Sequence, residues 1–163
     1  MDALLNRPTR NDYFFGIAKT VSARSTCPSR QVGAVLVDPE TDYIIATGYN
    51  GAARGTPHCD EACGTRVSGQ DWEKCKAIHA ELNVVICAAM NGARTKGSWL
   101  YLTTTPCVFC ARVIINAGIA HVLAVSMYPH NEALELLASA GVKLTVESGV
   151  PLPILRYRES SNV

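Results

Sequence analysis

The residues able to do chemistry gather in two short stretches. His79-Ala80-Glu81 stands at the front of a helix-forming run, and Pro106-Cys107-Val108-Phe109-Cys110 opens another such run after a strand-like segment. One imidazole and two thiolates are donors that zinc favours. Three protein donors leave a tetrahedral ion one open position for water, which is the arrangement of catalytic zinc sites. Cys107 and Cys110 lie three residues apart at a helix start, so both sulfurs reach one ion. The N–H groups and partial positive charge of that helix end favour thiolate over thiol. An ion held this way brings the pKa of its water to roughly 7. Glu81 then stands as a proton carrier rather than a fourth ligand, work that typically contributes ~10²–10⁴-fold to a rate. The competing reading is a structural zinc knot. Such sites usually take four protein ligands, and this constellation offers three and a carboxylate.

These side chains need elements to position them. Apolar residues at helical intervals predict a helix over 11–25. Residues 32–37 (VGAVLV) and 43–47 (YIIAT) read as strands, joined into a hairpin by a turn containing Pro39 and Asp42. Residues 48–76 are rich in Gly, Pro, Cys and charge and show no period; a loop of that length in a domain is usually functional or tied down. Helices are predicted over 77–91, capped by Gly92, over 107–117, ending at Gly118, and over 131–140, between Asn131 and Gly141. Strands are predicted over 98–103, 121–126 and 142–147, with loop or a short helix after Pro151. The order α-β-β-α-β-α-β-α-β implies an α/β fold, parallel from residue 77 onward, whose first hairpin makes the sheet mixed.

Composition bounds the class. The chain has 163 residues, 48% hydrophobic and 18% charged, as expected of one globular domain with its own core. No apolar run reaches the ~18–20 residues a membrane helix needs, and the start, MDALLNRPTRND, has no basic stretch followed by an apolar one. A cytoplasmic protein with no membrane partner is expected. The net charge of +1, without a basic stripe, argues against a nucleic-acid partner and leaves room for a small anionic ligand. Seven cysteines cannot all pair within one chain, and clustered cysteines without a secretion signal are more often metal ligands.

H-x-E followed about two dozen residues later by P-C-x-x-C is the signature of the zinc nucleobase deaminases. Further segments sharpen the match: Arg24-Ser25-Thr26-Cys27, Val32–Val37, Thr47-Gly48-Tyr49-Asn50-Gly51, Ile78–Asn83, Leu100–Thr103 and Ala117-Gly118-Ile119. Over about residues 10–147 the chain resembles the deoxycytidylate (dCMP) deaminases of the cytidine deaminase superfamily. The resemblance implies a three-layer α/β/α sandwich with a mixed five-stranded sheet, one deaminase domain over 1–163 with a zinc-loop insertion at about 50–76, and often a homohexamer. It implies hydrolysis of dCMP to dUMP and ammonia, feeding thymidylate synthesis, with dCTP as activator, accompanied by Mg²⁺, and dTTP as inhibitor.

The resemblance also assigns roles by position. Asn50 would bond the deoxyribose 3′-OH, Arg24 the 5′-phosphate with Ser25 beside it, and Tyr128 would close the phosphate pocket, with Ala80 in the substrate site. The plainer alternatives are a solvated helix end for Arg24, a turn residue for Asn50 and a surface aromatic for Tyr128. Gly48, Tyr49 and Gly51 correspond to the part of regulated members near the effector site. Some members hold a second, structural zinc; Cys27, Cys59, Cys63 and Cys75 are the preferred ligands here, with His58 as substitute, against the alternative of free thiols. Cys87 reads as a small core residue and His121 as structural. The rival functions are a deaminase of another base, such as a tRNA adenosine or a free nucleoside, and a non-catalytic zinc-binding module of the competence type.

Overall fold

Thr9 starts the first helix, α1 (Arg10–Ser22): its backbone is extended and its hydroxyl accepts the Asp12 N–H at 3.1 Å. This satisfies one of the donors a helix start leaves unpaired. The computed structural model describes residues 7–59, 75–128 and 132–147. α1 ends three residues short of the sequence expectation. Ser22 Oγ donates to Lys19 O at 2.7 Å and the Ser25 N–H turns back to Ser22 O at 3.0 Å, so Arg24 and Ser25 lie in a turn beyond the helix. Local hydroxyl bonds of this kind compete with helix continuation.

The elements that follow are β1 (Gly33–Val37), β2 (Ile44–Tyr49), β3 (Gly51–Ala52), β4 (Ala77–Ile78), α2 (Ala80–Met90), β5 (Trp99–Thr104), α3 (Val108–Asn116), β6 (His121–Ser126), α4 (Glu132–Ser139) and β7 (Lys143–Val146). Five strands form one sheet in the order β2-β1-β5-β6-β7. β5, β6 and β7 run parallel, while β1 is antiparallel to both β2 and β5, giving the expected mixed sheet. The departure lies in the long loop. Gly51 pairs with Ile78 and Ala52 with Ala77, a two-stranded ribbon that pins both ends of the 48–76 stretch and delays the next helix to Ala80. Two-residue strands carry no periodicity, so the sequence pattern hides them.

β1 is buried along its length because helices cover both its faces. Val35 and Val37, with Tyr101 and Leu123, pack against Phe14, Phe15 and Ala18 of α1. Ala34 and Leu36, with Leu100, Leu102, Val122 and Ala124, pack against Ala80 and Val84 of α2, Ala111 and Ile114 of α3, and Leu137 of α4. The alternation along β1 is the two-residue period of a strand, and the result is a three-layer α/β/α sandwich. Among the described residues no helix is long and apolar enough to cross a membrane.

Two glycines set how closely the layers approach. A Cβ on Gly33 would stand 1.9 Å from Ala18 O of α1, and one on Gly48 would stand 2.5 Å from Val84 N and 2.6 Å from Ala80 O of α2. Backbone therefore meets backbone on each face, and the first turn of α2 rests directly on β2. At the far end of the sheet, His121 is buried at the start of β6, its Nε2 2.9 Å from Thr145 Oγ1 and its ring edge-on to Trp99. Burial, then the charge of Lys143, lowers its pKa.

Gly48→Ala is expected to cost about 1–3 kcal/mol through overpacking, read as a lower Tm. Gly51→Ala, whose methyl meets the Thr26 hydroxyl at 3.3 Å, is expected to cost much less. For His121 the folded pKa lies below the unfolded value of about 6.5. The unfolded chain therefore binds the proton first as pH falls. The stabilisation is complete above about pH 6.5 and is lost as pH drops toward and through the folded value. Tm measured across that window should fall less steeply in His121→Asn than in the wild type; parallel curves would remove His121 as the cause.

Candidate functional site

Two helix starts meet at one edge of the sheet. His79, in extended conformation, immediately precedes α2, and Cys107, also extended, immediately precedes α3 at the end of β5. Ligand sites of parallel α/β sheets lie at this carboxyl edge of the strands. Neither residue spends its side chain on capping its own helix. Instead His79 Nδ1 lies 3.6 Å from Cys107 Sγ and 3.3 Å from Cys110 Sγ, and the three donor atoms fall within 4.8 Å of one another. Ligands about 2.0–2.3 Å from a tetrahedral zinc stand roughly 3.3–3.8 Å apart, so the donor set fits one such ion. His79 is exposed, Cys107 half-buried and Cys110 buried, which opens the group to solvent on one side.

The electrostatics suit a cation. The Cys107 thiol is held down at about 4, chiefly because the Cys110 thiol donates to it, with His79 adding a second bond against the cost of burial. Cys110 is pushed up, first by that same bond and then by burial. His79 is raised by its bond to Cys107, which outweighs desolvation. Glu81 sits buried in the first turn of α2, and burial raises its carboxyl above the ordinary value while the charge of His79 opposes this. A carboxyl raised in this way beside the donor set is suited to holding and passing on a proton.

The residues assigned to the substrate take varied places. Asn50 is buried, with Oδ1 accepting from Val32 N at 2.8 Å and Nδ2 donating to Arg30 O at 2.8 Å, so its side chain fixes the approach to β1. Ser25 is buried and donates from Oγ to Asn50 O at 2.7 Å. Arg24 is exposed, with no ion pair among the described residues. Ala80 is buried, and its carbonyl meets the backbone of Gly48. Gly48 thus has a packing reason to lack a side chain. Tyr49 is partly exposed and Gly51 begins β3. Tyr128 donates its N–H to Thr105 Oγ1 at 2.7 Å, two residues before Cys107.

Cys27, Cys59 and Cys75 are each half-buried and His58 is exposed. Cys63 lies outside the described residues. Among those residues His79, Cys107 and Cys110 form the one group of three or more potential metal donors.

Two residues given no role by the sequence reading belong to this edge. Asn83 donates from Nδ2 to Tyr49 O at 2.7 Å, tying the helix of His79 and Glu81 to the strand that leads into Asn50. It stood inside the quoted Ile78–Asn83 segment, and its spacing of four from His79 was the available signal. The Arg30 guanidinium lies over the Tyr128 ring at 5.0 Å, a contact between distant parts of the chain that no local pattern announces.

The model of the cytidine and deoxycytidylate deaminase zinc-binding region matches residues 8–126. The chain is 39% identical over 145 residues to ComE operon protein 2 of Bacillus subtilis, a match covering 88% of this chain and 72% of that one. It is 35% identical over 128 residues to the deoxycytidylate deaminase of Mycobacterium phage D29, covering 73% and 96%. The dCMP deaminase of cyanophage S-TIM5, in complex with dCMP and dUMP, shares the fold with a TM-score of 0.74 and 26% identity over 86% of this chain and 98% of that one. The chain therefore belongs to the cytidine and deoxycytidylate deaminase family, with the candidate metal donors His79, Cys107 and Cys110 where α2 and α3 begin.

Proposed function

We propose that this chain hydrolyses dCMP to dUMP and ammonia. The observation that carries the reading is the convergence of His79 Nδ1, Cys107 Sγ and Cys110 Sγ beside the buried Glu81 carboxyl. Support for the substrate comes from the deoxycytidylate deaminases that the chain resembles over most of its length. His79, Cys107 and Cys110 would hold zinc, which would supply a polarised water for attack at C4 of the base. Glu81 would take one proton from that water and deliver it to N3, then take the remaining proton of the hydroxyl added at C4 and pass it to the amino group, which leaves as ammonia as the C4–N bond breaks. Asn50 orients the deoxyribose 3′-OH, Ser25 stands at the phosphate end, and Ala80 and Tyr128 complete the substrate site.

The wider reading follows the family. The chain forms a single deaminase domain over 1–163 and supplies dUMP for thymidylate synthesis in the cytoplasm. It responds to dCTP with Mg²⁺ as activator and to dTTP as inhibitor, through residues near Tyr49 and Gly51. Cys27, Cys59, Cys63 and Cys75, with His58 as substitute, hold a second zinc. The protein assembles as a homohexamer. Exposed Tyr43 and Ile44 by edge strand β2, with Ile86 and Met90 on the helix packed against it, support a self-association surface.

The similarity to ComE operon protein 2 favours one second reading, a non-catalytic competence-type module. The intact Glu81 in its buried position beside the donors argues against it.

One panel tests these readings: ammonia release from dCMP, cytidine, dCTP and single-stranded DNA by the zinc-loaded chain, with dCTP plus Mg²⁺ or dTTP added, and with zinc per chain and molecular mass measured on the same sample. Turnover of dCMP above the others is expected, and Glu81→Gln should lower kcat by ~10²–10⁴-fold while retaining zinc. A zinc-loaded wild type inert toward all four would favour the non-catalytic reading. One zinc per chain would remove the second site, an unchanged dCMP saturation curve the effectors, and a monomeric mass the hexamer.

A further inference from the structure

We propose that Arg30, rather than Arg24, is the cation that reads the 5′-phosphate and so sets the preference for a monophosphate over a nucleoside. This rests on the dCMP reading above. β1 runs antiparallel to β5, with Ala34 opposite Leu102, and Gly33 N donates to Thr103 Oγ1 at 3.2 Å. Stepping back from Gly33 toward Arg30 therefore leads the same way as stepping forward from Thr103 toward Cys107, to the edge where the metal donors meet. The loop is held there by the paired bonds of Asn50 to Arg30 O and Val32 N, both 2.8 Å. Tyr128 comes to the same edge from β6, its N–H bound to Thr105 and the Thr105 N–H bound to Ser126 O at 2.9 Å.

The guanidinium of Arg30 thus rests on a ring that is anchored to the segment carrying Cys107. A cation–π contact of this kind does not use up the guanidinium N–H donors, the fork that matches two oxygens of a phosphate. No carboxylate among the described residues forms an ion pair with Arg30, so its charge is not already neutralised there. Its exposed position gives an incoming anion access. Arg24 is also exposed, but no contact in the described structure orients its guanidinium toward this edge. A permanently charged fork poised on an aromatic ring distinguishes a dianionic monophosphate from a neutral nucleoside.

The test compares wild type, Arg30→Gln, Arg30→Lys and Arg24→Gln as zinc-loaded full-length chains. The readouts are kcat/KM for dCMP and for deoxycytidine, and calorimetric binding of dUMP and deoxyuridine, with zinc content and Tm as checks on folding. Arg30→Gln is expected to lower the ratio of dCMP to deoxycytidine kcat/KM by about 10- to 100-fold, the scale of a lost charged hydrogen bond. Most of the loss should appear in KM, with a matching loss in dUMP binding. Arg30→Lys should recover part of it, because a point charge replaces a fork. An unchanged ratio and unchanged dUMP binding in Arg30→Gln would overturn the assignment, as would the same phosphate-specific loss appearing in Arg24→Gln instead. A wild type that binds dUMP no better than deoxyuridine would remove the monophosphate reading itself, and this assignment with it.

Discussion

The molecule depends on bringing one imidazole nitrogen within 3.3 and 3.6 Å of two sulfurs that arrive from another helix. Those donors lie 28 and 31 residues apart along the chain, so no local structure brings them together. The sheet does this. β5 delivers Cys107 to its carboxyl edge, and β2 carries α2 so closely that Gly48 can bear no side chain. Each helix then turns its positive end toward the group, where the dipole favours thiolate and carboxylate charge. Burying Glu81 beside two thiols is costly in isolation; with a divalent cation present, the surplus negative charge acquires a counter-ion.

The same edge is linked by a chain of specific bonds. Asn83 joins α2 to Tyr49, Asn50 joins the next residue to the loop of Arg30 and Val32, and Ser25 joins the turn after α1 to the Asn50 carbonyl. Thr105 joins the Cys107 segment to Tyr128. Residues expected to face the nucleotide therefore also brace one another, and their backbone positions follow the metal donors. The opposite end of the sheet serves stability: Trp99 is flanked there by the Arg10 guanidinium at 4.4 Å and by the buried His121 ring.

Much of this was legible in the sequence, for identifiable reasons. The donors and Glu81 stood out because few combinations of Cys, His and Glu at helix starts serve any purpose but metal chemistry. The strand 121–126 and the hairpin emerged because β-branched runs end at clear breakers. What stayed hidden depends on distance along the chain. The ribbon joining Gly51 and Ile78, the packing purpose of Gly48, and the contact between Arg30 and Tyr128 all arise from sheet order and register. The end of α1 at Ser22, short of residue 25, reflects hydroxyl and turn bonds that weigh little in an apolar periodicity.

The most direct measurement is a crystal structure of the zinc-loaded chain with anomalous data at the zinc absorption edge. An ion is expected about 2.3 Å from Cys107 and Cys110 and about 2.0–2.1 Å from His79, with Glu81 beside it but outside its ligands. An ion bound by Glu81 as a fourth protein ligand, closing the position that water needs, would contradict the account; so would zinc bound elsewhere in the chain with these three side chains left apart.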